Sequence, residues 1–127
     1  HYNLLERSEF ESDAGKVAKE VGIDSFPYFA LARGFLSGKY KPDTTVDSVR
    51  AGGVTGYFTE KGWGIVEEVE KLAKQHGVSP SAISLAWLRA KGQTPIASAR
   101  TVEQLREIMQ VVQLSSEDVA LLDSVSA

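Results

Sequence analysis

The sequence predicts an α/β fold in which parallel strands are buried between helices. Three short apolar segments lack helical periodicity and read as buried strands, at residues 2–5, 23–31 and 94–99. Amphipathic helical patterns separate these segments, and strands joined through helices pair in parallel with right-handed crossovers. The 127 residues are enough for one core, so residues 1–127 are taken as a single domain.

The first helix is predicted at residues 12–21, where apolar side chains recur at intervals of three and four. Gly22 follows at the position where a left-handed residue ends a helix. Pro27 argues against a helix in the next apolar segment. These signals predict a helix followed by a strand.

A long loop is predicted at about residues 32–62, because this segment is rich in Gly, Thr, Asp and Ser and has no sustained periodicity. Loops of this length are uncommon in compact domains and often act as lids or binding loops. The segment is therefore a functional candidate, with disorder as the alternative.

Four further helices are predicted after the loop. The first spans residues 63–76, and the second begins at Ser79-Pro80, an N-cap followed by proline in the first turn, and ends near Gly92. Thr101 caps a helix that runs to about residue 112, and Ser115 or Ser116 caps the last helix.

A phosphate site is predicted where the segment 94–99 meets the following helix. The small residues Ala97, Ser98 and Ala99 allow close backbone approach, and the amides of a capped helix favour an anion. Arg100 adds a guanidinium that can clamp a phosphate through two hydrogen bonds. The alternative is an ordinary capped helix beside a solvated arginine.

Composition excludes several classes of protein. A net charge of −3 gives no reason to expect nucleic acid or an anionic membrane as partner, and no apolar run is long enough to span a bilayer. The chain has no cysteine, which fits a cytoplasmic protein and excludes disulfides and cysteine-based metal sites. His1 and His76 are isolated, so no metal site is predicted. The chain opens on an apolar segment without Met, and we expect further sequence upstream.

Three segments of the chain resemble the aldo-keto reductase family. They are Tyr2-Asn-Leu-Leu-Glu-Arg, Tyr28-Phe-Ala-Leu-Ala-Arg-Gly-Phe-Leu-Ser-Gly-Lys-Tyr40 and Pro95-Ile-Ala-Ser-Ala-Arg-Thr-Val-Glu-Gln-Leu105, in family order. The resemblance implies a partial (β/α)8 TIM barrel, made of the C-terminal βα units. A whole barrel has about 250 residues, so the N-terminal half is expected as a partner of this chain.

The resemblance also implies an NADPH site at the C-terminal ends of the strands. Tyr28 matches the aromatic residue that stacks on the nicotinamide ring. The loop along the pyrophosphate is implied to contain Phe29, Ala30, Leu31, Arg33, Gly34 and Lys39.

The other end of the cofactor is implied to lie at the segment after residue 97. Ser98 and Arg100 match positions that meet the 2′-phosphate, and Gln104 and Glu107 match positions that reach the ribose or adenine. Two departures weaken the match, since Ala30 replaces a frequent proline and Ile108 replaces an asparagine that holds the adenine.

Gln104 has a second interpretation, because Thr101-Val-Glu-Gln104 fits a capping box. If its side chain caps the helix, it is less available to the adenine.

The implied function is that of a C-terminal segment of an NADPH-dependent oxidoreductase acting on a small aldehyde or ketone. The family's catalytic tyrosine, lysine, aspartate and histidine match no residue here, so no catalytic residue is assigned and the chain alone is expected to be inactive. The alternatives are a non-catalytic NADPH-binding regulatory module and a half-barrel that self-associates through exposed strand edges.

Overall fold

The computed structural model describes residues 1–43 and 51–127 of the chain. Two 3₁₀ segments lie at Ala32–Ser37 and Thr55–Tyr57. The α-helices of the described part are α1 Ser8–Ser12, α2 Ala14–Val21, α3 Ala51–Val54, α4 Glu60–His76, α5 Pro80–Ala90, α6 Val102–Ile108 and α7 Ser116–Val125.

The helix boundaries follow capping residues in the sequence. Ser79 caps α5 by accepting a hydrogen bond from the Ala82 amide at 3.1 Å, and Ser115 forms a reciprocal capping box with Asp118 at the start of α7. Gly22 ends α2 with a φ of 71°, a left-handed value that glycine adopts without a Cβ clash. These three predicted boundaries are confirmed.

Three other predicted boundaries are wrong by a few residues. The first predicted helix begins at Ala14 rather than at residue 12, because Asp13 separates it from a further helix at Ser8–Ser12. Helix α4 begins at Glu60 rather than at residue 63, because the Thr59 hydroxyl accepts a hydrogen bond from the Gly62 amide at 3.0 Å and caps the helix earlier. Helix α6 ends at Ile108 rather than at residue 112.

The predicted strands are not found in the described part of the chain, where β-type pairing is limited to an isolated antiparallel bridge between Asn3 and Glu6 and two backbone hydrogen bonds between residues 25–27 and 94–96. Pro27 and Pro95 lack the amide hydrogen that a ladder needs. Phe29 has a φ of 54°, which turns the backbone out of the extended conformation. In place of the predicted parallel strands, residues 25–27 and 94–96 form a short pair of extended segments.

The predicted loop is partly helical. Ala32–Ser37 forms 3₁₀ turns interrupted by left-handed φ values at Arg33 and Gly34, and the chain is helical again at Ala51–Val54 and Thr55–Tyr57. Residues 44–50 of the predicted loop lie outside the described residues.

The core lies between α4, α5 and α7 and extends beneath the turn at Ala32–Ser37. Trp87, Ile65, Leu122 and Phe35 are fully buried in it. The Phe35 ring contacts an aromatic group that closes over the turn and consists of Tyr40, Tyr57, Phe58 and Trp63. This packing holds in place the turn that contains Arg33 and Gly34 of the predicted site.

Within residues 1–43 and 51–127, the helices are all too short or too polar to cross a bilayer.

Candidate functional site

Two backbone hydrogen bonds join the segments that carry the predicted site. The Thr94 amide donates to the Ser25 carbonyl at 3.1 Å, and the Ile96 amide donates to the Pro27 carbonyl at 2.9 Å. From the first bond to the second, the donor and the acceptor each move two residues toward the C-terminus, which is the hydrogen-bond pattern of two parallel strands. A third bond of this ladder would need an N–H at Pro27, which proline lacks. The chain therefore leaves both segments at the same end of the pair.

Side chains along this pair alternate between a buried and an exposed face. Pro27 is buried, whereas Phe26, Tyr28 and Ile96 are 58 %, 52 % and 55 % exposed. Ser98 follows Ile96 by two residues and is also exposed. Because side chains two residues apart on an extended segment share a face, Tyr28 and Ser98 lie on the exposed face near the same end.

The turn after Tyr28 contains an unusual run of left-handed residues. Phe29, Ala32 and Arg33 have φ values of 54°, 48° and 58°, a conformation that costs non-glycine residues about 1–3 kcal/mol each when strained. Gly34 has a φ of 90°. Such runs are typical of loops whose shape serves binding, provided that other contacts hold them.

Asn3 supplies one of the contacts that hold this turn. Its side chain is fully buried, and its amide nitrogen donates to the Phe29 carbonyl at 2.9 Å. Its Oδ1 accepts hydrogen bonds from the Leu5 amide at 2.8 Å and the Glu6 amide at 3.1 Å. Asn3 was not among the predicted site residues, although a polar residue between Tyr2 and two leucines was a signal for a satisfied, buried amide.

The Lys39 side chain lies against the same turn. A Cβ added to Gly34 would lie 3.0 Å from both the Cε and the Nζ of Lys39, so the ammonium group approaches the backbone closely because residue 34 is glycine. Its Nζ also lies 5.1 Å from the Tyr40 ring centroid. Of the other predicted loop residues, Ala30 is buried and Leu31 is partly buried, so Ala30 offers little surface to a ligand.

Three rings lie together beside the turn. The His1 ring centroid is 5.5 Å from that of Tyr28 and 5.3 Å from that of Phe29, and Tyr28 and Phe29 are 4.9 Å apart. The Arg33 guanidinium carbon lies 4.3 Å from the Phe29 centroid, at cation–π distance. Tyr28 therefore offers a half-exposed ring that its neighbours support.

The second predicted segment is polar and accessible. Ser98, Arg100 and Glu107 are exposed. Gln104 Oε1 accepts a hydrogen bond from the Arg100 amide at 2.9 Å, while the Gln104 amide donates to the Thr101 hydroxyl at 3.1 Å. The Gln104 side chain thus makes a capping-type contact, one of the two interpretations that its sequence left open. Since α6 has only seven residues, its dipole adds little, and the Arg100 guanidinium is the main group for an anion.

A cleft of about 470 Å³ opens beside the aromatic group. Of the eleven predicted site residues, Arg33 alone lines it. Its lining consists of His1, Leu5, Glu6, Arg33, Gly53, Gly56, Tyr57, Thr59 and Lys61. Burial raises the pKa of the Tyr57 hydroxyl, and the neighbouring Glu6 carboxylate raises it further. No sequence pattern indicates this cleft, because its walls come from three distant parts of the chain.

Comparison with known proteins assigns the chain to a family. The family model described as "Aldo/keto reductase family" matches residues 1–127. The chain is 31 % identical to "Aldo-keto reductase yakc [NADP(+)]" of Schizosaccharomyces pombe, with 92 % of the chain and 36 % of that protein aligned. It is 29 % identical to "Aldo-keto reductase AMT2" of Alternaria alternata, over 97 % of the chain and 34 % of that protein. The chain thus spans about a third of the length of these curated relatives.

Solved structures of the same kind share the fold. The glycerol dehydrogenase AKR11B4 from Gluconobacter oxydans superposes with a TM-score of 0.79 at 27 % identity, over 98 % of the chain and 40 % of that protein. A thermostable aldo-keto reductase, Tm1743, solved with the inhibitor epalrestat, gives 0.66 at 28 % identity, over 98 % and 37 %. These neighbours support the (β/α)8 fold of the family, even though strands are almost missing from the described part of this chain.

Proposed function

Because the chain belongs to the aldo/keto reductase family, we propose that it forms much of the cofactor site of an NADPH-dependent oxidoreductase acting on aldehydes or ketones. The observation that carries this proposal is the pair of hydrogen bonds from Thr94 and Ile96 to Ser25 and Pro27. It brings the turn after Tyr28 and the segment around Arg100 to one end of the molecule. A relative named as NADP(+)-dependent adds support for the choice of cofactor.

In this proposal Tyr28 holds the nicotinamide ring and Arg100 holds the 2′-phosphate. The half-exposed Tyr28 ring offers a planar apolar surface, and an arginine can bind a phosphate through two charge-assisted hydrogen bonds. Ser98 adds a hydroxyl on the same exposed face, and the carboxylate of Glu107 is accessible to a ribose hydroxyl. Gln104 contributes less, because its Oε1 is bonded to the Arg100 amide.

The turn is proposed to run along the diphosphate. Because residue 34 is glycine, the Lys39 ammonium lies close to the backbone of the turn, so a cation is held where the diphosphate is proposed to lie. In this proposal Phe29, which is exposed, and Leu31, which is partly buried, line the approach, and the buried Ala30 supports the turn between them. When bound, NADPH supplies the hydride that reduces a carbonyl carbon. The residues of this chain hold and orient the cofactor, and the proton donor is proposed to lie elsewhere in the protein.

Arg100 provides the test of this proposal. Arg100→Ala is expected to weaken NADPH binding about tenfold or more, because a hydrogen bond to a charged group contributes about 1.5–3 kcal/mol. NADH, which lacks the 2′-phosphate, should bind Arg100→Ala and the wild-type protein alike. Arg89→Ala removes an exposed arginine at the end of α5 and serves as the control. An equal loss for both cofactors, or no loss for either, would refute the assignment.

The exposed face of the extended pair supports a larger assembly. Phe26, Tyr28 and Ile96 are each more than half exposed, which is unfavourable for apolar side chains grouped on one face. We propose that the other βα units of a barrel cover this face, in a cytoplasmic protein about three times as long as this chain. Sedimentation distinguishes this proposal from a half-barrel that pairs with a second copy, since the latter predicts a dimer of the 127-residue chain.

A further inference from the structure

We propose that the cleft beside the aromatic group binds the carboxylate of the carbonyl substrate, so that the substrate class is an aldehyde or ketone that also carries an acid group. At about 470 Å³ the cleft has the size of a small-molecule site. Lys61 and Arg33 supply the cations. This inference rests on the proposed function for the identity of the reacting group, but not for the binding of the acid.

The charge of the cleft favours a carboxylate. In the described part of the chain, Arg33 forms no ion pair, and its guanidinium lies over the Phe29 ring. The Lys61 ammonium donates to the Ala127 carbonyl at 2.6 Å and has two further hydrogens to donate. Among the lining residues that the structure describes, Glu6 is the one carboxylate, and it lies beside the Tyr57 hydroxyl. Among the side chains of this lining, two cations face one carboxylate, so the lining favours an anionic ligand.

The position of the cleft favours the substrate over the cofactor as its occupant. His1 lines the cleft, and its ring contacts both Tyr28 and Phe29. The cleft therefore adjoins the proposed nicotinamide position. The residues proposed for the 2′-phosphate and adenine end, Ser98, Arg100, Gln104 and Glu107, do not line it. Arg33 belongs to the turn proposed to run along the diphosphate and also lines the cleft, so its guanidinium is the boundary between the two sites, and a cofactor extending from Tyr28 toward Arg100 leaves the rest of the cleft to the substrate.

Two glycines hold the walls of the cleft in place. A Cβ at Gly53 would lie 2.8 Å from the Arg33 Nε, so the guanidinium packs directly on the backbone there. A Cβ at Gly62 would overlap the Tyr57 carbonyl oxygen. These close approaches hold Arg33 against the backbone at residue 53 and Tyr57 against the start of α4. The site is therefore largely preformed, which lowers the entropic cost of binding.

The experiment compares two probes that differ in one charge. 4-(Hydroxymethyl)benzoate is the alcohol form of an acidic aldehyde, and its methyl ester has the same ring and alcohol without the charge. Alcohols are used because aldehydes form imines with lysine side chains. Dissociation constants are measured by saturation-transfer NMR at fixed ionic strength, for the wild-type protein, Lys61→Gln and Lys61→Arg. Lys16→Gln, which removes an exposed lysine on α2, is the matched control.

We expect the wild-type protein to bind the acid at least about fivefold more tightly than the ester, as a charge-assisted contact predicts. Lys61→Gln should remove most of that preference, while Lys61→Arg and Lys16→Gln should retain it. Equal affinity for the two probes, or a preference that Lys61→Gln leaves intact, would overturn the inference. So would a loss of NADPH affinity in Lys61→Gln without a change in acid binding, because the cleft would then hold the cofactor diphosphate.

A separate titration with NADPH keeps the two proposals apart. If NADPH fails to bind but the preference for the acid persists, the proposed cofactor site is wrong and the acid site stands. If NADPH binds with a dependence on Arg100 but the acid preference is missing, the acid site is wrong and the cofactor site stands.

Discussion

Two glycines in the first turns of α4 should respond in opposite ways to the same substitution. A Cβ at Gly62 would overlap the carbonyl oxygen of Tyr57 and lie 3.2 Å from its carbonyl carbon and 3.3 Å from the Thr59 hydroxyl oxygen. A Cβ at Gly64 would meet nothing within 4 Å. Both positions belong to the helix Glu60–His76, so the comparison isolates the contact with Tyr57.

The magnitudes follow from helix propensity and steric overlap. Alanine in place of a helical glycine stabilises by about 1 kcal/mol, which is the effect expected for Gly64→Ala. At Gly62 the same gain is opposed by an overlap between the new Cβ and the Tyr57 backbone, which cannot rotate away. We assign this overlap a cost of about 3 kcal/mol, the upper end of the range for overpacking. Gly62→Ala should therefore lower the free energy of unfolding by about 2 kcal/mol. The two variants should differ by about 3 kcal/mol.

Urea unfolding followed by circular dichroism measures this difference. Thermal unfolding provides a second measurement. With a shift of about 3–5 °C per kcal/mol for a chain of this size, the melting temperatures of the two variants should differ by roughly 10 °C. A Gly62→Ala variant as stable as Gly64→Ala would refute the reasoning, since it would mean that Tyr57 does not approach the start of α4 as closely as described. The position of the cleft wall would then be wrong as well.

Three further substitutions test the packing of α7. Ser115→Ala removes the hydroxyl that caps the helix and should cost about 1 kcal/mol in urea unfolding. Burial alone would raise the pKa of Asp118, but the Ser115 amide and the His76 ring outweigh it and lower that pKa. A lowered pKa stabilises the fold above the unfolded value of about 4. The stability advantage of the wild-type protein over Asp118→Asn should therefore shrink as the pH falls below about 4. Trp87→Phe leaves the Asp123 carboxylate without the indole donor at 2.9 Å and should cost about 1–3 kcal/mol by thermal unfolding.

The helices were predictable where local chemistry decides them. Ser79-Pro80 and Ser115 cap helices with their own side chains, and Gly22 ends one through its own backbone freedom. None of these signals depends on distant residues. The start of α4 was misjudged because its cap, Thr59, lies in a segment whose glycines indicated a loop.

The turn after Tyr28 could not be derived from periodicity. The left-handed φ values of Phe29, Ala32 and Arg33 oppose the local preference of these residues. They depend on tertiary contacts, including the hydrogen bond from the buried Asn3 amide to the Phe29 carbonyl. The same holds for the strands, because an extended segment needs paired neighbours, and Pro27 removes one of the bonds that pairing requires.

The candidate site was predictable in part. Tyr28, Arg33 and Arg100 were predicted through resemblance to a family and stay predictions, whereas the cleft residues Tyr57 and Lys61 were not predicted. These two residues line the same cleft as Arg33 only in the folded chain, and no spacing in the sequence indicates that they lie close together.

The central claim is that the turn after Tyr28 and the segment around Arg100 bind one dinucleotide. The most direct measurement is a titration of the isotope-labelled protein with NADP⁺, followed through the backbone amide signals. We expect the amides of residues 28–39 and 98–107 to shift together with a single dissociation constant. Shifts confined to one of the two segments, or different constants for the two, would contradict it.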